Sequence, residues 1–395
     1  MAVNTCYICM MKYSIIFSSL SYSFVKFNCP HSKKPSRKPR IRCAPNRQRL
    51  GFLLQILAII LGVAELFIAI KTEDITDNTT ILNILSLTST ISVTYALLKA
   101  NWSWKALIDD MKTAMYISEF LSKFIVDDKW FRVFYVFSVG WMGYSSLYYS
   151  SQLFFMWVGE PINYLLYLKS INLSIFGYLM STFILRIIVD TSVNIVFMQR
   201  LFAQLDRELS QKLRELDIRY ICLPQATFAR KIRTLRRFYM AVLVNFQRTR
   251  IRFNSSLEIL VMSNFIIAIW IMAITCVILI GRRTLSLSEY IIILWFGLRT
   301  LFVYCFAIVC DFSNILIKKQ QTALFKFPSE KLSSEEKIEL ENFVKLLVWR
   351  EPMKTVRDSY RFGISTVAGI GLNIVVNSMV VTQLYIFFDN QLNSK

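Results

Sequence analysis

The sequence predicts an all-α polytopic membrane protein with seven transmembrane helices, a cytoplasmic amino terminus and an extracellular carboxyl terminus. Three observations point there. Apolar residues make up 55% of the 395 and charged residues only 18%, and the mean hydropathy is positive at +0.45, a balance that a water-soluble domain of this length rarely tolerates. Apolar runs near the roughly 20 residues that cross a hydrocarbon core recur along the chain. Between them, Lys and Arg collect in every second connection, so the formal charge of +20 reads as cytoplasmic loop charge rather than a stripe for nucleic acid.

The first element is the basic segment 1–49. Lys26, Lys33, Lys34, Arg37, Lys38, Arg40, Arg42, Arg47 and Arg49 precede the first apolar run and hold the amino terminus inside. Residues 1–25 contain an apolar stretch, but its basic residues follow it and no small-residue cleavage site appears, which argues against a secretory signal. They read as a membrane-surface segment or a poorly ordered extension, with a helix from Ile8 to Val25 as the alternative. HSKKPSRKPRIRCAPNRQR reads as a disordered arm lying on anionic lipid.

Spans follow at about Leu50 to Ile70, Ile81 to Leu98, Phe131 to Val158, Tyr164 to Val189, Leu257 to Ile280, Ser288 to Cys310 and Gly363 to Phe388. They group as residues 50–198 (spans one to four), 257–311 (spans five and six) and 363–388 (span seven), with 389–395 as an extracellular tail. The second span carries Ser86, Thr88, Ser89, Thr90, Ser92 and Thr94. Short hydroxyls that bond back to the preceding turn are tolerable in lipid, so it is expected inside the bundle.

Two basic connections are too long to be passive. Residues 199–256 hold Leu201, Leu205, Leu209, Leu213 and Leu216 at helical spacing, so the fourth span should continue past the membrane as an amphipathic rod. FYMAVLVNF at 238–246 is too short to span and suggests that the fifth helix also begins in the cytoplasm. Residues 312–362 include SSEEKIELENFVKLLV: Ser333 or Ser334 can cap this helix, Glu335 and Glu336 suit its positive end, and Ile338, Phe343, Leu346 and Leu347 form an apolar face. A cytoplasmic bundle shared between subunits would cover all these faces.

Catalytic chemistry has no foothold. The single histidine is His31, the eight cysteines form no zinc-spaced pair of CxxC motifs, and no phosphate-binding glycine loop or HExxH occurs. No enzyme activity, metal site or cofactor is expected. Charges inside spans are the usual pointer to function. Glu65 and Arg299 read equally as pocket or conduction-path charges and as buried polar ties between helices. Lys169 and Arg186 snorkel, and Arg186 pairs with Asp190 one turn on. On the third span Trp141, Tyr144, Tyr148, Gln152 and Phe155 share one face. They form either a ligand pocket with polar tips or a packing stripe.

The last span ends in VVTQLYIFFDNQLNSK. Ser378, Thr382, Tyr385 and Asp389 lie at helical spacing and, with Gln391, make the candidate pore lining; the open alternative is a face that packs on neighbouring helices. With its basic connections on the inner side, the chain resembles the insect gustatory receptors, seven-helix chemoreceptors with a cytoplasmic amino terminus. Their compact signature is Thr-Tyr, five apolar residues, then Gln-Phe. One register sets Thr382 on the Thr and Asp389 on the Gln. The other, which keeps two polar identities, sets Tyr385 on the Tyr and Gln391 on the Gln, with Leu384 and Leu392 replacing Thr and Phe.

The resemblance implies a taste receptor of the plasma membrane of chemosensory neurons, with its site on their dendrites. It implies a homotetramer, or a heterotetramer with related subunits, in which a small-molecule tastant opens a non-selective cation path lined by the last helices. A G-protein-coupled receptor would need an external amino terminus and an Asp-Arg-Tyr, and a transporter would show internal repeats; neither pattern is present. The topology makes one prediction. Asn78-Thr79-Thr80 faces the lumen whereas Asn101 and Asn254 do not, so a glycosidase-sensitive mobility shift should vanish in Asn78→Gln and persist in Asn101→Gln; the reverse result overturns the topology.

Overall fold

A computed structural model describes residues 25–28, 40–43, 45–72, 129–159, 164–217, 226–280, 311–349 and 364–393 as continuous stretches, with scattered positions between 84 and 120 and residues 307–308. Asn78, Arg299 and most of the sixth span lie outside them, as do residues 1–24. The described residues are helical apart from one two-stranded ladder, a 3-10 turn and short connections. That ladder corrects one expectation. β1 (Val25–Asn28) pairs antiparallel with β2 (Arg40–Cys43), so part of the basic arm has regular structure. Its cause is local: VKFN and RIRC alternate residue types with the period of a strand.

α1 (Pro45–Thr72) starts one residue after β2, on a proline whose missing N–H costs nothing in a first turn. α2 (Lys129–Gly159), α3 (Tyr164–Asp217), α4 (Ala226–Leu279), α5 (Ser334–Trp349) and α6 (Ile364–Asn393) follow. The described positions of the second span are helical too. There Thr88 Oγ1 donates to the Ile84 carbonyl at 2.7 Å and Ser92 Oγ to the Thr88 carbonyl at 2.8 Å, the back-bonding that makes a hydroxyl-rich helix compatible with lipid. α1 and α6 contain Arg49–Ile68 and Val367–Phe387, stretches long and apolar enough to cross a bilayer. Only 22% and 11% of their apolar windows are buried, unlike the core helix of a soluble protein. Leu53, Ile60, Phe67, Leu372 and Met379 face outward from them.

α3 and α4 are each 54 residues long, about 80 Å at 1.5 Å per residue, far beyond a hydrocarbon core of about 30 Å. α3 packs on α1, α2 and α4, while α4 also carries α5 and α6. Where α3 and α4 run on together the apolar positions alternate by three and four. Leu201, Leu205 and Leu209 of α3, Phe228, Ile232, Leu235, Tyr239 and Val242 of α4, and Leu340, Phe343 and Leu347 of α5 are buried in one core, the spacing of helices packed along a common seam. The apolar face of α5 differs from expectation: Ile338 is 56% exposed and Leu340 takes the buried position. The helix docks through 340, 343 and 347, and 338 falls off that stripe.

Charge closes the bundle. Ser333 Oγ accepts the Glu336 N–H at 3.4 Å while Glu336 Oε2 accepts the Ser333 N–H at 3.0 Å, a reciprocal cap for α5. The other oxygen of Glu336 takes Lys212 Nζ of α3 at 2.7 Å. One turn on, the buried Glu339 pairs with Arg233 Nε at 2.6 Å and Arg236 Nη2 at 3.1 Å, both on α4. Hydrogen bonding to Glu339, then its charge, holds the Arg233 guanidinium above its ordinary pKa. On the helical residues 311–325, Gln320 donates to Asp206 of α3 at 2.9 Å and Gln321 to the Leu347 carbonyl of α5 at 2.9 Å. Because ion pairs orient more than they stabilise, these contacts fix which faces meet while the apolar seam supplies most of the energy.

Two positions carry the packing's cost. Tyr239 is fully buried between Phe202 and Phe343, its hydroxyl has no hydrogen-bond partner among the described residues, and burial raises its pKa. In α3, a Cβ added at Gly177 would lie 2.6 Å from the Tyr149 ring of α2. Tyr239→Phe should therefore stabilise the chain by about 1 kcal/mol and Gly177→Ala should destabilise it by about 1–3 kcal/mol. Thermal unfolding in detergent checks both, and an unchanged midpoint for Gly177→Ala would contradict the close α2–α3 contact.

Candidate ligand site and conduction helix

The aromatic face of α2 is turned toward α3. Trp141 is 4% exposed, and its indole Nε1 donates to the Ser181 carbonyl of α3 at 3.2 Å. Ser181 Oγ in turn donates to the Gly177 carbonyl at 2.6 Å. From Trp141 the rings climb the helix: Tyr144 follows at 5.3 Å between centroids, then Tyr148 at 6.2 Å in a stacked arrangement, with Tyr149 edge-on to Tyr148 at 5.0 Å. Tyr144, Tyr148 and Gln152 are half-buried. Of the sequence-derived set, Trp141, Tyr144 and Tyr148 thus form one ladder, and Gln152 follows one helical turn beyond Tyr148. Its base is fixed on α3, and its upper members have partly open surfaces on which an apolar molecule with a polar tip can stack. The side chain of Phe155 lies outside the described residues.

Glu65 of α1 lies at a helix contact. Asn172 Nδ2 of α3 donates to Glu65 Oε2, and Asn172 is buried. Among the two readings of Glu65, this geometry is that of a polar tie between α1 and α3, because its carboxylate is engaged by a neighbouring helix. Asn194 and Asn245 make a second tie: Asn245 Nδ2 donates to Asn194 Oδ1 at 2.9 Å, and Asn194 Nδ2 to the Asp190 carbonyl at 2.8 Å. Both amides are buried. The expected Arg186–Asp190 pair involves a side chain outside the described residues.

α6 has two polar faces. Ser378 and Thr382 are 1% and 6% exposed, and Thr382 meets α4. Thr382 Oγ1 donates to the Ser378 carbonyl at 2.8 Å, and the Ala273 carbonyl of α4 lies 3.4 Å from it. Beside them a cleft of about 20 Å³ is lined by Trp270, Ala273, Ile274 and Val277 of α4 and by Val381, Thr382 and Tyr385 of α6, room for about one water molecule. The opposite face carries Asn373 and Asn377, both exposed. Their amides donate to the Gly369 and Asn373 carbonyls at 3.0 and 2.7 Å. The helical repeat puts position 389 on the Ser378–Thr382–Tyr385 face and position 391 on the Asn373–Asn377 face. The side chains of Asp389 and Gln391 lie outside the described residues.

Sequence reasoning missed the α4 residues of the cleft, because Trp270, Ala273, Ile274 and Val277 are ordinary apolar span residues without a polar marker. It also left the Asn373–Asn377 face unused, although its spacing of four was the available signal. Among the described residues no group of three or more His, Cys, Asp or Glu side chains is placed to hold a metal ion.

No protein-family model and no curated protein sequence matches the chain. Solved structures do. The insect olfactory receptor OR5 from Machilis hrabei superposes with a TM-score of 0.65 over 96% of this chain and 100% of that one, at 10% sequence identity. The same receptor in complex with eugenol gives 0.58 at 11% identity, with the same coverage. The chain therefore has the fold of an insect olfactory receptor.

Proposed function

We propose that this chain is a subunit of a chemoreceptor channel in the plasma membrane, a gustatory receptor in which a small molecule opens a non-selective cation path. One observation carries the reading: the fold likeness to an insect olfactory receptor extends over 96% of this chain and the whole of that one. The solved relative binds eugenol, a small aromatic molecule. An aromatic ladder with partly open surfaces is suited to such a ligand.

In this reading Trp141, Tyr144, Tyr148 and Gln152 contact the tastant. Four copies, identical or mixed with related subunits, surround one axis lined by α6. Gln391 lines its outer end. Ser378, Thr382, Tyr385 and Asp389 share the helix face on which Thr382 meets α4, so they join the lining only if opening turns α6 away from α4, and the carboxylate of Asp389 then favours cations. Asn78 carries glycan on the outer side, and residues 199–256 and 312–362 form the cytoplasmic bundle that joins subunits.

Ligand-evoked current from cells expressing the chain, alone and with related subunits, tests the reading. A cation current independent of GTP is expected. Dependence on GTP would point to a coupled receptor, and saturable flux without channel conductance to a transporter. In the responding channel, Tyr148→Ala should raise the half-maximal dose by about tenfold, the equivalent of 1.4 kcal/mol. Asp389→Lys should lower the sodium-to-chloride permeability ratio by roughly fivefold, as expected for one water-screened charge contact. An unchanged dose response or ratio at normal expression would remove that residue from its assigned place.

A further inference from the structure

The exposed face of α6 carries groups that a lipid-facing helix would not. Its apolar stretch runs over Val367–Phe387, with Asn377 at the midpoint and Asn373 one turn before it. Both side chains are exposed. Amides set against acyl chains forgo hydrogen bonds that water would supply, so polar side chains within spans turn to a bundle interior or a water-filled cavity. The helical repeat puts positions 369, 373, 377, 380 and 384 on one stripe, opposite Thr382, through which α6 meets α4. Gly369 keeps that stripe open beside Asn373. A Cβ added there would meet nothing within 4 Å, so packing within the chain does not require the glycine.

The two amides also have a fixed orientation. Asn373 Nδ2 donates to the Gly369 carbonyl at 3.0 Å, and Asn377 Nδ2 donates to the Asn373 carbonyl at 2.7 Å. Only the nitrogen of an amide can donate to a carbonyl, so these bonds settle which end of each side chain is which. The oxygen is the end left for a neighbour. Neither Oδ1 has a partner among the described residues. The stripe therefore offers two neutral acceptors, one helical turn or about 6 Å apart, and what it lacks is a group that an oxygen can bind.

We propose that Asn373 and Asn377 form two cation-binding rings of amide oxygens inside the conduction path, and that their ligand is a partly dehydrated monovalent cation. The inference rests on the channel reading, in which four copies of α6 surround one axis. Each copy then contributes one oxygen to each ring. Amide oxygens replace water around an ion as the backbone carbonyls of selectivity filters do. They carry no net charge, however, and the affinity of oxygen sites for divalent ions rises with ligand charge. The rings thus pass a monovalent ion from one to the next and hold a divalent ion poorly.

The test uses the purified full chain in liposomes, where thallium(I) or calcium entry through spontaneous openings is read with trapped fluorophores, so no agonist is needed. Thallium should enter the unmutated channel faster than calcium. Asn377→Val should slow thallium entry about tenfold, the loss expected when a charge gives up a polar contact. Asn377→Asp should raise the calcium-to-thallium entry ratio about fivefold, as for one water-screened charge contact. In the same liposomes a water-soluble trimethylammonium thiosulfonate should label Asn377→Cys well above Met379→Cys, which lies on another face of α6. No thallium entry through the unmutated chain would remove the channel reading itself. Thallium entry that ignores both substitutions, calcium entry faster than thallium in the unmutated chain, or equal labelling at 377 and 379 would overturn the two rings and leave that reading standing.

Discussion

The arrangement depends on one apolar seam, the three-and-four alternation along which α3 and α4 continue together well beyond the length of a membrane span. Each helix is 54 residues long, and neither could hold the half that carries the seam without the other, because isolated helices draw little stability from propensity alone. The seam buries Leu201, Leu205 and Leu209 against Ile232, Leu235 and Tyr239. Once these helices are joined, α1 and α2 have α3 to pack on, and α5 and α6 have α4. The alignment of the seam thereby sets the position of the candidate ligand face and of the candidate conduction helix.

Polar contacts refine that arrangement. Glu336 and Glu339 on α5 meet Lys212 of α3 and Arg233 and Arg236 of α4, so the short helix reads both long ones at once. Removing one partner would strand a carboxylate that is nearly buried, a larger penalty than the pair's own net contribution. Within the spans the tie is an amide on a carboxylate, Asn172 with Glu65, and where α3 leaves its span Asn194 and Asn245 make a buried amide pair. Such groups have no water to fall back on in lipid, so they favour particular helix pairings. The contact between α4 and α6 is softer. Among the described residues Thr382, near the Ala273 carbonyl, is its polar contact across the helices, Ser378 bonds back along α6 instead, and a cleft lies beside it. A soft contact under a candidate conduction helix leaves that helix free to change its facing at modest cost.

Much of the helical content was legible because apolar runs and leucine spacing encode burial directly. Ser333 and Glu336 announced the start of α5, and a reciprocal cap is there. The hydroxyls of the second span announced their own bonds to the preceding turn. Ile338 misled because apolarity marks a face only when the partner helix is known; α5 docks through Leu340 instead. The ladder near residue 40 was hidden by its charge and prolines, whose composition resembles an unstructured arm. For α6 the spacing grouped Ser378 with Thr382 correctly, but periodicity gives a face without saying what covers it.

The central claim is that helices joined by this seam place α6 around a shared cation path. Electron cryomicroscopy of the purified chain in lipid nanodiscs, with a related subunit added if it does not assemble alone, measures that placement directly. The account predicts four copies about one axis, with α6 from each facing it and the cytoplasmic bundles in contact below. Separate single copies, or an assembly in which α6 faces lipid and another helix lines the axis, would contradict it.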